Sequence, residues 1–419
     1  MNEPGPCPLN AILYLDNTFQ SPAGHNLGYL QTISAEVRRL ASVAEGLDGV
    51  GGVGGVGGDG ARESLLLANR TAVPGELPIA GVRVEPTFRV YHQLLFRNFR
   101  SLPVRVRVAA GLVLGNFDMF VNTVRRLCSR NSTVRRVVLL NTFPENSIGL
   151  GAAVWLTNRL RRRRIERVVL CVHNRPAEKS GRLFSVASRL LRDCTDARVV
   201  AHSPDNAALP GFTAELVPLP VSDLAHEPMK VPAGRVVVGV LGVSTYGKGF
   251  DVAVDAVQRL GDRGDIHFLI QSHPSDGRRE TQGAADRLIA RPSANLQVLQ
   301  GSLSRDEYLG VVNACDVLVF AHRAEAYATD LSGVFFEGCS LGTSMIASNQ
   351  TAMGKELFGH EFHETFSDGD PASLAQAIGA AVDARQARLD DMAVERPLPN
   401  LLSDARWSRR SAAEIICSP

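Results

Sequence analysis

The sequence predicts an α/β protein of two bodies, each an open parallel sheet flanked by helices. Three observations predict it. Runs of Val, Leu and Ile without polar alternation recur along the chain, as strands buried on both faces require. Amphipathic stretches of helical period separate them. One proline-rich break, with Pro218, Pro220 and Pro232, divides the chain into halves of similar size.

In the first half the strand-like runs lie at 11–16, 64–68, 136–141, 167–173 and 197–202, with helices expected at 27–44, 119–130, 147–161 and 180–192. Between 46 and 60, nine of fifteen residues are glycine, in a Gly-Gly-Val repeat. No regular element holds such a segment, so it reads as a loop without chemistry of its own. The stretch 79–114 shows no clear period. Beyond the break, strands at 235–242, 266–271, 295–299, 316–320 and 344–347 alternate with helices at 250–260, 281–290, 305–314, 332–341 and 373–384. A last amphipathic helix is expected at 401–416, with Trp407 as its packing anchor. The domains are therefore drawn at 1–225 and 226–400, with a terminal helix over 401–419. Open α/β sheets bind ligands at the carboxyl ends of their strands, so a ligand is expected in a cleft between the two bodies.

Composition excludes several classes. Of 419 residues 45% are hydrophobic and 21% charged, which rules out a fibrous or wholly disordered chain. No run approaches the ~18 apolar residues of a spanning helix. The first nine residues lack the basic-then-apolar order of a secretory signal. The seven cysteines are scattered without a C-x-x-C pair, which argues against a zinc cluster or disulfide framework and for a reducing, cytoplasmic compartment. The net charge of +2 hides a split: 27 basic against 18 acidic side chains up to residue 225, and 18 against 25 beyond it. The densest basic stretch is Arg159, Arg161, Arg162, Arg163, Arg164 and Arg167. A solvated helix end, a nucleic-acid contact and attraction to an anionic membrane surface all fit it. At a membrane each basic residue contributes roughly 1 kcal/mol.

Two segments carry the chemistry. The first runs from a strand at 235 into Gly242-Val243-Ser244-Thr245-Tyr246-Gly247-Lys248-Gly249 and then a helix. Glycines after a strand let the backbone approach an anion, and the helix start offers free N–H groups and the positive dipole end. Lys248 adds a point charge and Ser244 a hydroxyl. An ordinary glycine-rich turn is the alternative. Neither G-x-x-x-x-G-K-[ST] nor G-x-G-x-x-G is met. The second segment is Ser332-Gly333-Val334-Phe335-Phe336-Glu337. Ser332 stands at an N-cap, and Gly333 allows close approach. Glu337 lies one turn in among apolar neighbours, where a carboxylate needs a partner. The diol of a ribose is one such partner and a core Arg the other. His273 and His322 stand at strand ends and are candidates to line a nucleotide cleft.

The stretches "GVSTYGKGFDVAVDA", "VLQGSLSRDEYLGVVNACDVLVF" and "SGVFFEGCSLGTSMIAS" resemble, in order and spacing, the donor half of retaining glycosyltransferases of the GT-B type, family 4. The likeness covers roughly 235–385. It is thinner in the first half, at Gly24-His25-Asn26, Val172-His173 and His202-Ser203-Pro204. The resemblance implies two Rossmann-like domains facing across a cleft, with the C-terminal helix crossing back to the first. It implies that Gly242, Ser244 and Lys248 hold a donor diphosphate, that Ser332 and Gly333 add helix-start donors, and that Glu337 binds the ribose. His173 matches the family histidine near the transferred sugar, so His173 and Lys248 are the candidate catalytic residues. Gly24 and His25 match the acceptor-side loop. The donor is a nucleotide-diphosphate sugar, and neither a metal nor a cofactor is expected.

The chain departs from the family pattern in two places. The first acid of E-x7-E falls at Thr329, although Tyr327 with Ser332-Gly333 fits a variant of the motif. The Arg common before the loop hydroxyl is absent. Asp368-Gly369-Asp370 spells the D-x-D of another glycosyltransferase architecture, but Asp370-Pro371 reads as a helix cap with Pro at N1. The expected protein is a cytoplasmic glycosyltransferase acting with retention in polysaccharide, lipopolysaccharide or glycolipid assembly. Its acceptor is a carbohydrate or lipid-linked molecule, with peripheral contact at the inner membrane face through the basic first domain and no nucleic-acid partner. The alternative is a catalytically inactive GT-B scaffold or nucleotide-sugar-binding protein.

Overall fold

The computed structural model describes residues 12–16, 25–44, 64–69, 82–89, 103–129, 132–160, 165–173, 181–207, 211–221, 224–390, 401, 407–408 and 410–417. The chain divides into two compact units, Met1–Ser222 with Arg406–Pro419, and Asp223–Ala405.

The first unit is built on a seven-stranded parallel sheet of order β3-β2-β1-β4-β5-β6-β7. Its strands are β1 (Ile12–Asp16), β2 (Ser64–Asn69), β3 (Val82–Phe88), β4 (Arg136–Leu139), β5 (Arg167–Val172), β6 (Asp196–Ala201) and β7 (Ala214–Leu216). The inner strands ILYLD, RVVL and RVVLCV are buried along their whole length, as the unalternating apolar runs require. Helices α1 (His25–Ala44), α2 (Val104–Leu127), α3 (Pro144–Leu160) and α4 (Gly181–Arg192) connect them. The core gathers Leu13, Leu15, Leu67, Leu139, Leu170 and Phe184.

The second unit holds a six-stranded parallel sheet of order β10-β9-β8-β11-β12-β13. The strands are β8 (Val236–Val240), β9 (Ile266–Ser272), β10 (Leu296–Gln300), β11 (Val317–Phe320), β12 (Ser344–Ser348) and β13 (Glu364–Phe366). The helices are α5 (Phe250–Arg259), α6 (Arg279–Ala290), α7 (Arg305–Ala314), the short α8 (Ala324–Tyr327), α9 (Gly333–Leu341), α10 (Ala352–Leu357) and α11 (Pro371–Asp390). Both sheets place their reversal beside the first strand of the unit, which sets each unit's ligand edge at the carboxyl ends of its inner strands.

The structure revises several expected elements. The helix expected at 119–130 starts fifteen residues earlier, at Val104, and β3 occupies part of the unreadable stretch. The terminal helix is α12 (Ala412–Cys417), which belongs to the first unit and touches α1 and β5. It starts late because Ser411 and Glu414 exchange side chain-to-backbone bonds at 3.1 and 2.7 Å, a capping box that fixes its first turn. Trp407 therefore precedes the helix rather than standing on it, and it is buried. The Arg136 and Arg167 guanidinium groups cap the other end by donating to the carbonyls of Ile416 and Ile415. The glycine-rich segment 46–60 lies outside the described residues.

Candidate functional site

In the second unit, the loop between β8 and α5 is held from three sides. Gly242 has φ +101, a backbone region that a β-carbon disfavours, and its N–H donates to Gln271 Oε1 at 2.9 Å. Gln271 in turn donates to the Gly301 carbonyl at 3.0 Å, so one side chain ties three strand ends together. Ser244 lies against β9: its hydroxyl donates to the Gln271 carbonyl at 3.0 Å and accepts from the His273 N–H at 3.0 Å. Asp276 closes the turn by accepting from the Tyr246 N–H at 2.6 Å and from the Thr281 hydroxyl at 3.1 Å. These bonds outweigh its partial desolvation and hold its carboxyl below the usual range.

The third side is the segment after β11. Arg323 pairs with Asp251 at 2.6 Å, its Nε donates to the Tyr246 carbonyl at 3.2 Å, and its guanidinium lies 4.1 Å from the Tyr246 ring centre. Arg278 approaches the same ring at 4.4 Å, so Tyr246 is flanked by two cations. Gln271, Asp276 and Arg323 escaped the sequence reading, and Tyr246 and Asp251 lay inside a quoted stretch without a role assigned to them. They carry no motif and act by fixing the loop.

This framework presents Lys248. Its side chain is partly buried, burial lowers its pKa, and its ammonium has no ion-pair or hydrogen-bond partner among the described residues. A β-carbon on Gly242 would lie 3.1 Å from Lys248 Nζ, so the glycine clears the space the ammonium enters. His322 follows β11 and is buried, with both ring nitrogens unpartnered among the described residues. Its ring meets Tyr327 edge-on at 4.3 Å. Burial, and then the Lys248 charge, hold His322 well below the ordinary histidine range.

At α9, Ser332 occupies the N-cap position in extended backbone, but its hydroxyl makes no capping bond. Phe335 and Phe336 direct their N–H groups to the Ser332 carbonyl, so those of Gly333 and Val334 are the ones a helix start leaves to an outside acceptor. Glu337 is buried one turn in, and its partners come from α7: Arg305 at 3.2 Å and the Tyr308 hydroxyl. Helix α7 is set by a complete capping box between Ser304 and Glu307. Arg305 and Tyr308, three apart, share one face of it. Burial, and then the Glu337 charge, push the Tyr308 hydroxyl well above its usual range. The D-x-D signal resolves structurally. Asp370 caps α11 through the Ala372 N–H at 2.8 Å, and Asp368 accepts from Ala324 N and Ser348 Oγ.

The expected residues of the second unit therefore fall around the carboxyl ends of β8, β9 and β11 and the start of α9. The Ser244 hydroxyl is buried and donates to the Gln271 carbonyl, so Ser244 helps to shape the loop.

In the first unit, His173 follows β5 and its Nε2 lies 2.8 Å from the Leu140 carbonyl. A carbonyl only accepts, so Nε2 carries the proton. His202 stacks on that ring with centroids 4.8 Å apart, and its Nδ1 donates to the Val217 carbonyl at 2.8 Å. The Nε2 of His202 lies 3.1 Å from the Tyr29 hydroxyl, within hydrogen-bond distance, and Tyr29 meets both rings edge-on. Burial pushes the adjacent Cys171 thiol up to about 12. Gly24 lies outside the described residues, and His25 begins α1 with its side chain outside them. Among the described residues no group of three His, Cys, Asp or Glu is placed to hold a metal ion, and no helix is long and apolar enough to cross a membrane.

Residues 235–383 match the family described as glycosyl transferases group 1. The fold is shared with Anabaena Alr3699/HepE in complex with UDP, at 15% identity over 92% of this chain and 95% of that one, TM-score 0.56. It is shared with sucrose-phosphate synthase from Thermosynechococcus elongatus, at 15% identity over 91% and 94%, TM-score 0.53. The lipopolysaccharide outer core galactosyltransferase WaaB is also similar, at 12% identity over 93% and 96%, TM-score 0.54. No curated protein matches the chain in sequence. The chain thus has the GT-B fold of these structures, two Rossmann-like domains, and residues 235–383 of its second unit match the glycosyl transferases group 1 family.

Proposed function

We propose that the chain transfers a hexose-type sugar from a nucleotide-diphosphate sugar to an acceptor hydroxyl with retention, in the assembly of a polysaccharide, lipopolysaccharide or glycolipid. The observation that carries this reading is Lys248, an ammonium unpaired among the described residues and held beside a left-handed glycine at the carboxyl end of β8. A partly desolvated cation without a counter-ion is costly until an anion arrives, and a leaving diphosphate is such an anion. The N–H groups of Gly333 and Val334 add helix-start donors for it. Glu337 takes the ribose, its carboxylate held in place by Arg305 and Tyr308. His173 serves the transfer step, its ring orientation set by the Leu140 carbonyl and the stacked His202. Lys248 and peptide N–H groups take the charge-balancing role that a metal fills in other architectures. The similar structures, one holding UDP and one a lipopolysaccharide galactosyltransferase, support the substrate class.

The acceptor is lipid-linked in this reading, and the chain works peripherally at the inner face of a membrane. Support comes from α2, where Val106, Val113 and Phe117 are exposed at spacings of seven and four, one face of a helix in the more basic half.

The test is a panel of nucleotide sugars incubated with the full chain, followed by chromatography of the released nucleoside diphosphate and proton NMR of the anomeric product. Release of one diphosphate with α-to-α transfer is expected. Tight binding of one donor with no release under any acceptor favours the inactive scaffold, a reading supported by Thr329 at the first acid position.

A further inference from the structure

His322 is the one group beside Lys248 whose surroundings the proposed transfer does not yet explain. It is only 4% exposed, yet neither ring nitrogen has a hydrogen-bond partner among the described residues. A buried imidazole always carries at least one N–H, and leaving such a donor without an acceptor is unfavourable. Its neighbours do not repair the loss. Phe320 lies 5.9 Å away, ring to ring, and Tyr327 presents its ring at 4.3 Å in an edge-on contact. The next residue, Arg323, is turned to Asp251 and the Tyr246 carbonyl. The charged and titratable groups that face the ring are therefore Lys248 from the β8–α5 loop and Tyr327 from α8. Neither supplies an anionic acceptor. Two basic side chains from two strand ends stand together unpaired, and no carboxylate of the described residues reaches Lys248.

We propose that His322 is a second basic contact for the donor, giving a hydrogen bond from one ring nitrogen to an oxygen of the diphosphate that Lys248 holds. This rests on the reading of the β8–α5 loop as the diphosphate site. A diphosphate carries acceptors enough for both groups, and its charge offsets the Lys248 ammonium that disfavours a protonated ring. Tyr327 and Phe320 then act as walls that keep the imidazole in one orientation.

The test is calorimetric titration of the full chain with UDP, inorganic pyrophosphate and uridine. For wild type, UDP and pyrophosphate are expected to bind. His322→Phe keeps the aromatic packing but loses the donor, and it should weaken UDP and pyrophosphate about tenfold or more while leaving uridine unchanged. His322→Gln retains an N–H and should recover part of the loss, which a purely packing role would not produce. Equal binding of UDP by wild type and His322→Phe overturns the proposal, as does a parallel loss of uridine, which would mark a general disruption. The loop reading fails separately, through undiminished UDP binding by Lys248→Met. Absence of UDP and pyrophosphate binding to wild type overturns both.

Discussion

Gly249 and Ala321 touch backbone to backbone: a β-carbon on Gly249 would stand 1.8 Å from the Ala321 carbonyl oxygen. Gly249 also has φ +61, the left-handed region that costs other residues roughly 1–2 kcal/mol. The contact joins the end of the lysine loop to the end of β11, the strand that delivers His322.

Gly249→Ala is therefore expected to destabilise the second unit by more than its backbone conformation alone, because the Ala321 carbonyl has to move. For a unit of this size each kcal/mol lowers Tm by about 2–4 °C, so a fall of several degrees is expected. Gly264→Ala is the matched control. No atom lies within 4 Å of its β-carbon position and its φ is not positive, so its Tm should hold or rise slightly. Similar Tm values for the two variants would show that the loop yields easily.

Lys248→Met should raise the stability of the ligand-free chain while slowing donor turnover. The ammonium's pKa is lowered by burial, so the unfolded chain, near the ordinary value of about 10.4, holds the proton more tightly. Between the folded and unfolded values the unfolded state binds more protons, and stability rises with pH across that window. The advantage of Lys248→Met should then be full below the folded value and shrink as pH rises through it toward about 10.4. Thermal melts of both proteins across that range check it. In kinetics, kcat and KM should both worsen; a change confined to KM would restrict Lys248 to ground-state binding.

Much of this architecture was legible because the inner strands are apolar on both faces. VVVGV, VLVF and RVVLCV leave no polar face to misread. Where the sequence failed, the physics had changed. β3 reads VRVEPTF, with polar residues and Pro86, a composition that an edge strand tolerates and an inner one does not. β7 and β13 are three-residue edge strands, too short to show a period. The first half of α2 hides its helix because Val106, Val113 and Phe117 face outward, erasing the amphipathic pattern. At the site, Lys248 and Glu337 were legible from glycines and a helix start. Their supports, Gln271, Arg323, Arg305 and Tyr308, come from other strands and helices, and only the tertiary fold brings them near.

Glu337 has both a structural and a ligand role in this reading, and the two separate experimentally. Glu337→Ala removes the acceptor of the buried Tyr308 hydroxyl, which should cost about 1–3 kcal/mol of stability. It should also weaken donor binding by about 1.5–3 kcal/mol, the range for a charge-assisted bond. Adding Tyr308→Phe removes the stranded hydroxyl, so the stability loss should shrink while the affinity loss persists. Recovery of donor affinity in the double variant would mean that Glu337 acts only by holding α7 against α9.

The exposed face of α2 gives the last prediction. Phe117 is 65% and Val113 68% exposed, on a helix whose last turn carries Arg125 and Arg126. A water-facing Phe and Val on one turn gain little from solvent, but each contributes burial energy on insertion at a lipid interface, and basic neighbours add attraction to anionic headgroups. Wild-type chain should therefore co-sediment with vesicles containing phosphatidylserine or phosphatidylglycerol, and less with neutral phosphatidylcholine. Val113→Asp with Phe117→Asp should abolish co-sedimentation without lowering Tm, since neither side chain is in the core. Raised salt should weaken binding without abolishing it, because the apolar contribution is unscreened. Binding that vanishes in salt yet survives the double substitution would assign the contact to charge alone and remove α2 from it. Failure of wild type to bind either vesicle would leave the acceptor to be sought in solution.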